Sequence, residues 1–237
     1  PSQIVSPGIT LVRQSAICGA SYGQSTFKLY DACLANQKGS QPLLLIWLHG
    51  GDRGDISTKN IKQMHKQIGR RVCFLVPISP EGTPGGMSFD WGAAYVDDLS
   101  GNSQSYIKAQ LHTPYLDDLC KLIRDIRTEM TADATWLFGY SMGGFGVYQL
   151  ASHEPGLFDV AVSIAGYVLG TLELSTMHRT SQPLASQVFY SFLESHADEL
   201  AKVRVLLEVH AEIDKESSFN DAAALVNRVR ERSGNAQ

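Results

Sequence analysis

Apolar and polar positions alternate through residues 8–35, with Ile9 and Leu11 early, Phe27 and Leu29 later, and Gly19 and Gly23 between. A period of two broken by glycines predicts an antiparallel hairpin. Leu43–Leu48 is an unbroken apolar run, the pattern of a strand buried on both faces of a parallel sheet. From Ile56 the spacing turns helical through Ile61, Met64 and Ile68, and Gly69 closes the helix. Arg71–Val76 predicts the next strand. Residues 77–110 are rich in Gly and Pro and too long for a passive connection, so they are expected to form a functional wall. Tyr115–Met130 is the clearest amphipathic helix, with Leu116, Leu119, Ile123 and Ile126 on one face. A strand over Ala134–Phe138, a helix over Met142–His153 and a strand over Asp159–Ile164 follow. Residues 167–183 predict no regular element, Leu184–Leu200 a helix, Val203–Val209 a strand and Phe219–Glu231 a last helix. Strands alternating with helices predict an α/β domain: a mostly parallel sheet opened by an antiparallel hairpin, with helices on both faces. Residues 1–237 read as one domain, with 167–200 inserted between the sixth and seventh strands.

Composition narrows the class of partner. At 237 residues and 43% hydrophobic, the chain is long enough to bury a full core. A net charge of −4 without a polybasic stretch argues against nucleic acid and anionic membrane surfaces. No apolar run approaches the roughly 20 residues that cross a bilayer. The chain opens on Pro1, without a charged-then-apolar leader. Either a leader has been removed or the sequence is a fragment; a soluble protein is expected, its compartment and oligomeric state open. Cys18, Cys33, Cys73 and Cys120 lie far apart, without the close spacing of a zinc or redox site. Cys73 and Cys120 fall in apolar patterns and read as small core residues. Cys18 and Cys33 flank the hairpin and can pair in an oxidising compartment.

The chemistry concentrates in Trp136-Leu-Phe-Gly-Tyr-Ser141-Met-Gly-Gly-Phe-Gly146, an apolar run, a Gly-x-Ser-x-Gly pentad and then a helical pattern. A serine on a sharp strand-to-helix turn has its hydroxyl thrust out where a base can reach it. Gly139 and Gly143 are needed there because larger side chains would strike the neighbouring strand and helix. A hydroxyl becomes a nucleophile only when a base takes its proton and donors hold the oxyanion that forms. The Met142 amide, at a helix N-terminus, is one such donor. The Gly51 amide in Leu48-His49-Gly50-Gly51, just after the buried strand, is the candidate for the second, although the same residues also suit an ordinary tight turn. Asp214, after the strand Val203–Val209, is the candidate acid, since catalytic groups in open α/β sheets collect at the carboxyl ends of strands. Glu212 is its local rival, Glu216 a weaker one, and Asp214 also suits a helix cap.

The stretches Leu45-Ile-Trp-Leu-His-Gly-Gly-Asp-Arg-Gly54, Val76-Pro-Ile-Ser-Pro-Glu-Gly82 with Trp91, and Phe138–Gly146 resemble the α/β-hydrolase superfamily. Within it they look like the esterases grouped with dienelactone hydrolase, feruloyl esterase and the predicted-peptidase carboxylesterases. The resemblance runs from about residue 27 through most of the chain. It implies a serine hydrolase acting on small carboxylic esters through an acyl-enzyme. Ser141 would be the nucleophile, Gly51 and Met142 the oxyanion donors and Asp214 the acid. His210 matches a position beside the acid that is usually structural.

One departure bears on activity. The family order is serine, acid, then histidine, and none of the seven histidines follows Asp214. Three readings are open. A segment beyond Gln237 carries the base, or the protein is a catalytically silent binding or assembly subunit, or another histidine substitutes. His178, on the irregular segment, and His210, near the acid, are the candidate substitutes. Trp91 and Tyr167, with Met177 and Phe189, are candidates to line an acyl or aryl pocket, although such aromatics also serve as packing anchors. His49 and Asp52 alone make a poor metal site, and Gly82–Gly86 lacks the setting of a phosphate loop. No metal or cofactor is expected.

Overall fold

The structure, a computed structural model, describes residues 2–17, 25–51, 55–79, 91, 93–97, 105–109, 114–166, 172–173, 196–214 and 219–233. The main sheet has eight strands among the described residues. β1 (Gln3–Ser6), β2 (Ile9–Ala16) and β3 (Thr26–Ala32) are antiparallel, as their alternation predicts. β3 pairs antiparallel with β5 (Val72–Ile78), and from there the sheet is parallel through β4 (Leu43–Leu48), β8 (Ala134–Tyr140), β9 (Val160–Ile164) and β11 (Leu206–Val209). β4 is central because every residue but Trp47 is fully buried. Burying each such Leu or Ile contributes about 1.5–3 kcal/mol.

Helices cover both faces. α1 (Thr58–Ile68) starts where the Ser57 hydroxyl accepts from the Asn60 amide at 3.2 Å, and ends at Gly69, whose φ of 75° suits a residue without a Cβ. Its Ile61, Met64 and Ile68 pack with Leu43, Leu45 and Phe74 on one face. On the other face α2 (Pro114–Glu129), α3 (Met142–His153), helical residues 196–200 (α4) and α5 (Phe219–Ser233) share a core with Leu44, Ile46, Leu48 and Leu137. α3 is nearly all buried, as expected of the helix beneath a sheet centre.

Two features depart from the expected pattern. The Gly- and Pro-rich segment expected as a functional wall, where the pattern predicts no strand, contains β6 (Ala93–Asp97) and β7 (Ser105–Ala109), which pair antiparallel, and β7 takes up β10 (Leu172–Glu173) to make a second, three-stranded sheet. β10 falls inside the span expected to hold no regular element. Its two residues are too short for any periodicity to register. Residues 184–195 of the expected helix lie outside the described residues. On the α1 side, Trp47, Trp136 and Phe138 with Met64 and Ile68 line an open apolar groove of about 370 Å³. At the sheet edge Leu207 and Val209 are 50% and 55% exposed. No helix among the described residues is long and apolar enough to cross a membrane. Cys33, Cys73 and Cys120 are free thiols; Cys18 lies outside the described residues.

Candidate active site

β4, β8, β9 and β11 run parallel, so the residues that follow them collect along one edge of the sheet. Gly51 follows β4, Ser141 follows β8 and Asp214 follows β11. Ser141 has φ 54° and ψ −116°, a conformation that a residue with a Cβ holds only under constraint. Its amide donates to the Ile164 carbonyl at 2.8 Å on β9, and its carbonyl accepts from the Phe145 amide at 3.2 Å to open α3. The chain therefore turns from strand to helix at one residue, the local geometry of a nucleophile elbow.

Close approach dictates the small residues around it. A Cβ on Gly139 would stand 2.0 Å from the Gly143 carbonyl oxygen, and one on Gly143 would stand 2.1 Å from that of Leu48. The first turn of α3 thus rests directly on the β4 backbone. The His49-Gly50-Gly51 loop lies at van der Waals distance, since a Cβ on Gly50 would lie 3.6 Å from the Ser141 Cβ. Met142, Gly143 and Gly144 begin α3, and their amides have no preceding helical turn to accept them. Together with the positive end of the helix dipole, they favour an anion beside Ser141.

His49 shapes the loop. The Ser79 amide donates to its Nε2 at 2.9 Å, so Nε2 is the acceptor and Nδ1 carries the hydrogen that meets the Gly50 carbonyl at 2.7 Å. The Trp91 indole reaches the His49 carbonyl at 3.4 Å, and the two rings lie 4.9 Å apart. Trp91 is only 1% exposed and also packs near Tyr115, so it sits in the core behind the loop. Tyr167, His178, Asp52 and Glu216 lie outside the described residues. Among the described residues no group of three or more His, Cys, Asp and Glu side chains suits a metal ion.

Asp214 closes a short turn by donating its amide to the Ala211 carbonyl at 3.1 Å. Its side chain is partly buried beside His210, whereas Glu212 is exposed. His210 is wedged between two acids: Nδ1 lies 2.8 Å from Glu208 Oε1 and Nε2 lies 3.5 Å from Asp214 Oδ2. The Tyr148 hydroxyl, from α3, donates to Glu208 Oε2. Burial first, and then Glu208, raise the Tyr148 ionisation well above its ordinary range, so it stays a donor. The other described histidines also have polar partners other than Ser141: His49 as above, His65 with Gln37, His153 with Asp117 and His196 with Gln149. Sequence reasoning missed the Tyr148–Glu208–His210 chain. Its signal is Glu208, a carboxylate inside the otherwise apolar Leu206–Val209, which demands buried partners.

Sheet order, elbow and loop together define an α/β-hydrolase fold. The model of the family described as "Putative esterase" matches residues 37–236, and the chain belongs to that family. No curated protein sequence matches. Among solved structures, an acylaminoacyl peptidase from Pyrococcus horikoshii aligns over 93% of this chain and 35% of its own, with TM-score 0.60 and 14% identity. A cold-adapted esterase from an Arctic intertidal metagenomic library aligns over 96% and 82%, with TM-score 0.61 and 14% identity. Est1E from Butyrivibrio proteoclasticus aligns over 92% and 85%, with TM-score 0.56 and 13% identity. The chain thus spans about a third of the peptidase and most of the two esterases.

Proposed function

We infer that this protein is a serine carboxylic ester hydrolase that works through an acyl-enzyme on Ser141. The observation that carries the reading is the strained Ser141 at the N-terminus of α3, with the His49-Gly50-Gly51 loop beside it. The Ser141 Oγ attacks the ester carbonyl carbon as a base takes its proton, and the Met142 and Gly51 amides hold the oxyanion. The alcohol leaves with that proton. Water then attacks the acyl carbon, and the acid departs as Ser141 is reprotonated. Asp214 orients the base, a histidine from outside the described residues. His178 is one source, and chain following Gln237 is the other. The substrate is a small-molecule ester or acyl compound.

The test is labelling with a fluorophosphonate probe and turnover of p-nitrophenyl acetate by the full-length protein. Ser141→Ala is expected to abolish both. Absence of labelling in the unaltered protein would overturn the proposal in favour of a catalytically silent binding or assembly subunit. His178→Asn separates the two sources of the base: an inactive variant assigns the role to His178, an active one to the following chain.

A further inference from the structure

We propose that His210 is a positioning residue that clamps the carboxylate of Asp214 and ties it to the helix carrying the nucleophile. The inference rests on the reading of Asp214 as the acid. The geometry behind it is a buried chain of four side chains. Tyr148, two turns into α3, donates to one oxygen of Glu208, and the other oxygen faces His210 Nδ1 at 2.8 Å. His210 Nε2 faces Asp214 Oδ2 at 3.5 Å. Each ring nitrogen thus faces a carboxylate oxygen, of Glu208 on one side and of Asp214 on the other. With both nitrogens facing carboxylates and its side chain 1% exposed, the ring is buried between its partners rather than open to solvent. Phe219, at the start of α5, packs against it edge-on at 6.2 Å.

The arrangement makes the acid's position depend on the ring. Glu208 and Asp214 are two carboxylates at one strand end, and the His210 ring lies between them. Without it they would face each other in a low-dielectric site, where like charges repel strongly. Asp214, on the turn and 18% exposed, is the carboxylate that such repulsion would displace towards solvent. Glu208 cannot follow, because Tyr148 holds its far oxygen. Since α3 opens with Ser141 and Met142, the same chain of contacts sets the distance between nucleophile and acid. A rotated Asp214 would leave the base misaligned, and misplacements of about 1 Å at such sites cost on the order of 100-fold in rate.

The test compares His210→Gln with His210→Asn, both measured as kcat and KM on p-nitrophenyl acetate in the full-length protein. The Gln amide nitrogen reaches the place of Nε2 and can still donate to Asp214; the Asn nitrogen reaches only the place of Nδ1 and serves Glu208. The expected result is that His210→Gln keeps kcat within about fivefold while His210→Asn loses about 30- to 100-fold, KM staying within twofold in both. In an Asp214→Ala background the two His210 variants should differ by less than twofold, because the group they act through is gone. Equal losses in both backgrounds, or His210→Asn as active as His210→Gln, would overturn the inference and leave His210 a packing residue. A fall of both variants to the Ser141→Ala level would overturn it by making His210 the base. Asp214→Ala at the unaltered rate would instead remove Asp214 as the acid, a failure of the underlying reading.

Discussion

Gly143→Ala tests how tightly the elbow is built. The added Cβ would lie 2.1 Å from the Leu48 carbonyl oxygen and 2.7 Å from both the Leu48 carbonyl carbon and the His49 oxygen. A carbon and a carbonyl oxygen settle at about 3.3 Å, so α3 must retreat from β4 by about 1 Å. Nothing can rotate aside, because every one of these neighbours is backbone. Overpacking of this kind costs typically 1–3 kcal/mol, and the immobile contacts place this one near the top of that range. At about 2–4 °C per kcal/mol for a chain of this length, the midpoint of thermal unfolding should fall by about 6–12 °C. The Met142 amide moves with the helix, and since the proposed mechanism makes it an oxyanion donor, its displacement should lower kcat by about 10²–10³. Circular dichroism melts and p-nitrophenyl acetate turnover read the two effects separately. Gly156→Ala is the control: a Cβ there meets nothing within 4 Å and the residue is no part of the proposed site, so both readouts should stay near the unaltered protein. A Gly143→Ala variant that melts and turns over like the unaltered protein would refute the reasoning.

Three further outcomes follow from other contacts. Ser141→Gly should abolish probe labelling yet raise the melting midpoint by about 2–4 °C, because relief of a strained φ outweighs the entropy glycine adds to the unfolded chain by about 1 kcal/mol; a lower midpoint would show the elbow to be unstrained. Tyr148→Phe should cost about 1–3 kcal/mol in urea unfolding with an unchanged m-value, since it leaves a Glu208 oxygen without its buried donor; an unchanged midpoint would remove Tyr148 from the chain of contacts. Burial foremost, with Asp31 adding, pushes the Cys73 thiol up to about 12, and burial likewise raises Cys120. The folded thiols stay protonated while the unfolded ones ionise near about pH 8.5, so their contribution is intact below that pH and is lost as pH rises towards 12. The urea midpoint should therefore decline from about pH 8.5, less steeply in Cys73→Ala, and a flat profile to pH 10 would contradict it.

The legible and illegible parts of this chain divide by how local their causes are. Leu43–Leu48 could be read as a buried strand because a parallel sheet covered on both faces asks for nothing but apolar side chains. The end of α1 was legible for a similar reason, because Gly69 acts on its own helix terminus, whereas the helix starts at Thr58 after the Ser57 cap rather than at Ile56. The elbow was legible because Gly139 and Gly143 are responses to contacts within one strand–turn–helix unit and the strand beside it. β6, β7 and β10 were not, since the pairing of Leu172–Glu173 with Tyr106–Ile107 joins segments some 65 residues apart and leaves no period in either.

His49 and His210 carry the argument further, because their roles cannot be assigned from residue type. Both sit beside candidate catalytic residues, and both are histidines, the residue a serine hydrolase needs as its base. What separates a base from a brace is whether a ring nitrogen is free to accept. At His49 the Ser79 amide occupies the acceptor nitrogen, and at His210 two carboxylates occupy both positions. Those partners come from the residue just after β5 at one site and from β11 with the following turn at the other. A spacing rule along the chain registers neither. Rings held this way are rigid, and rigidity is what the oxyanion loop and the acid require, since electrostatic preorganisation works only where donors and charges need not move as the reaction proceeds. The base has the opposite requirement, to exchange a proton with Ser141 and then with the leaving group. With His49 and His210 held as braces, the proposed mechanism draws its base from outside the described residues.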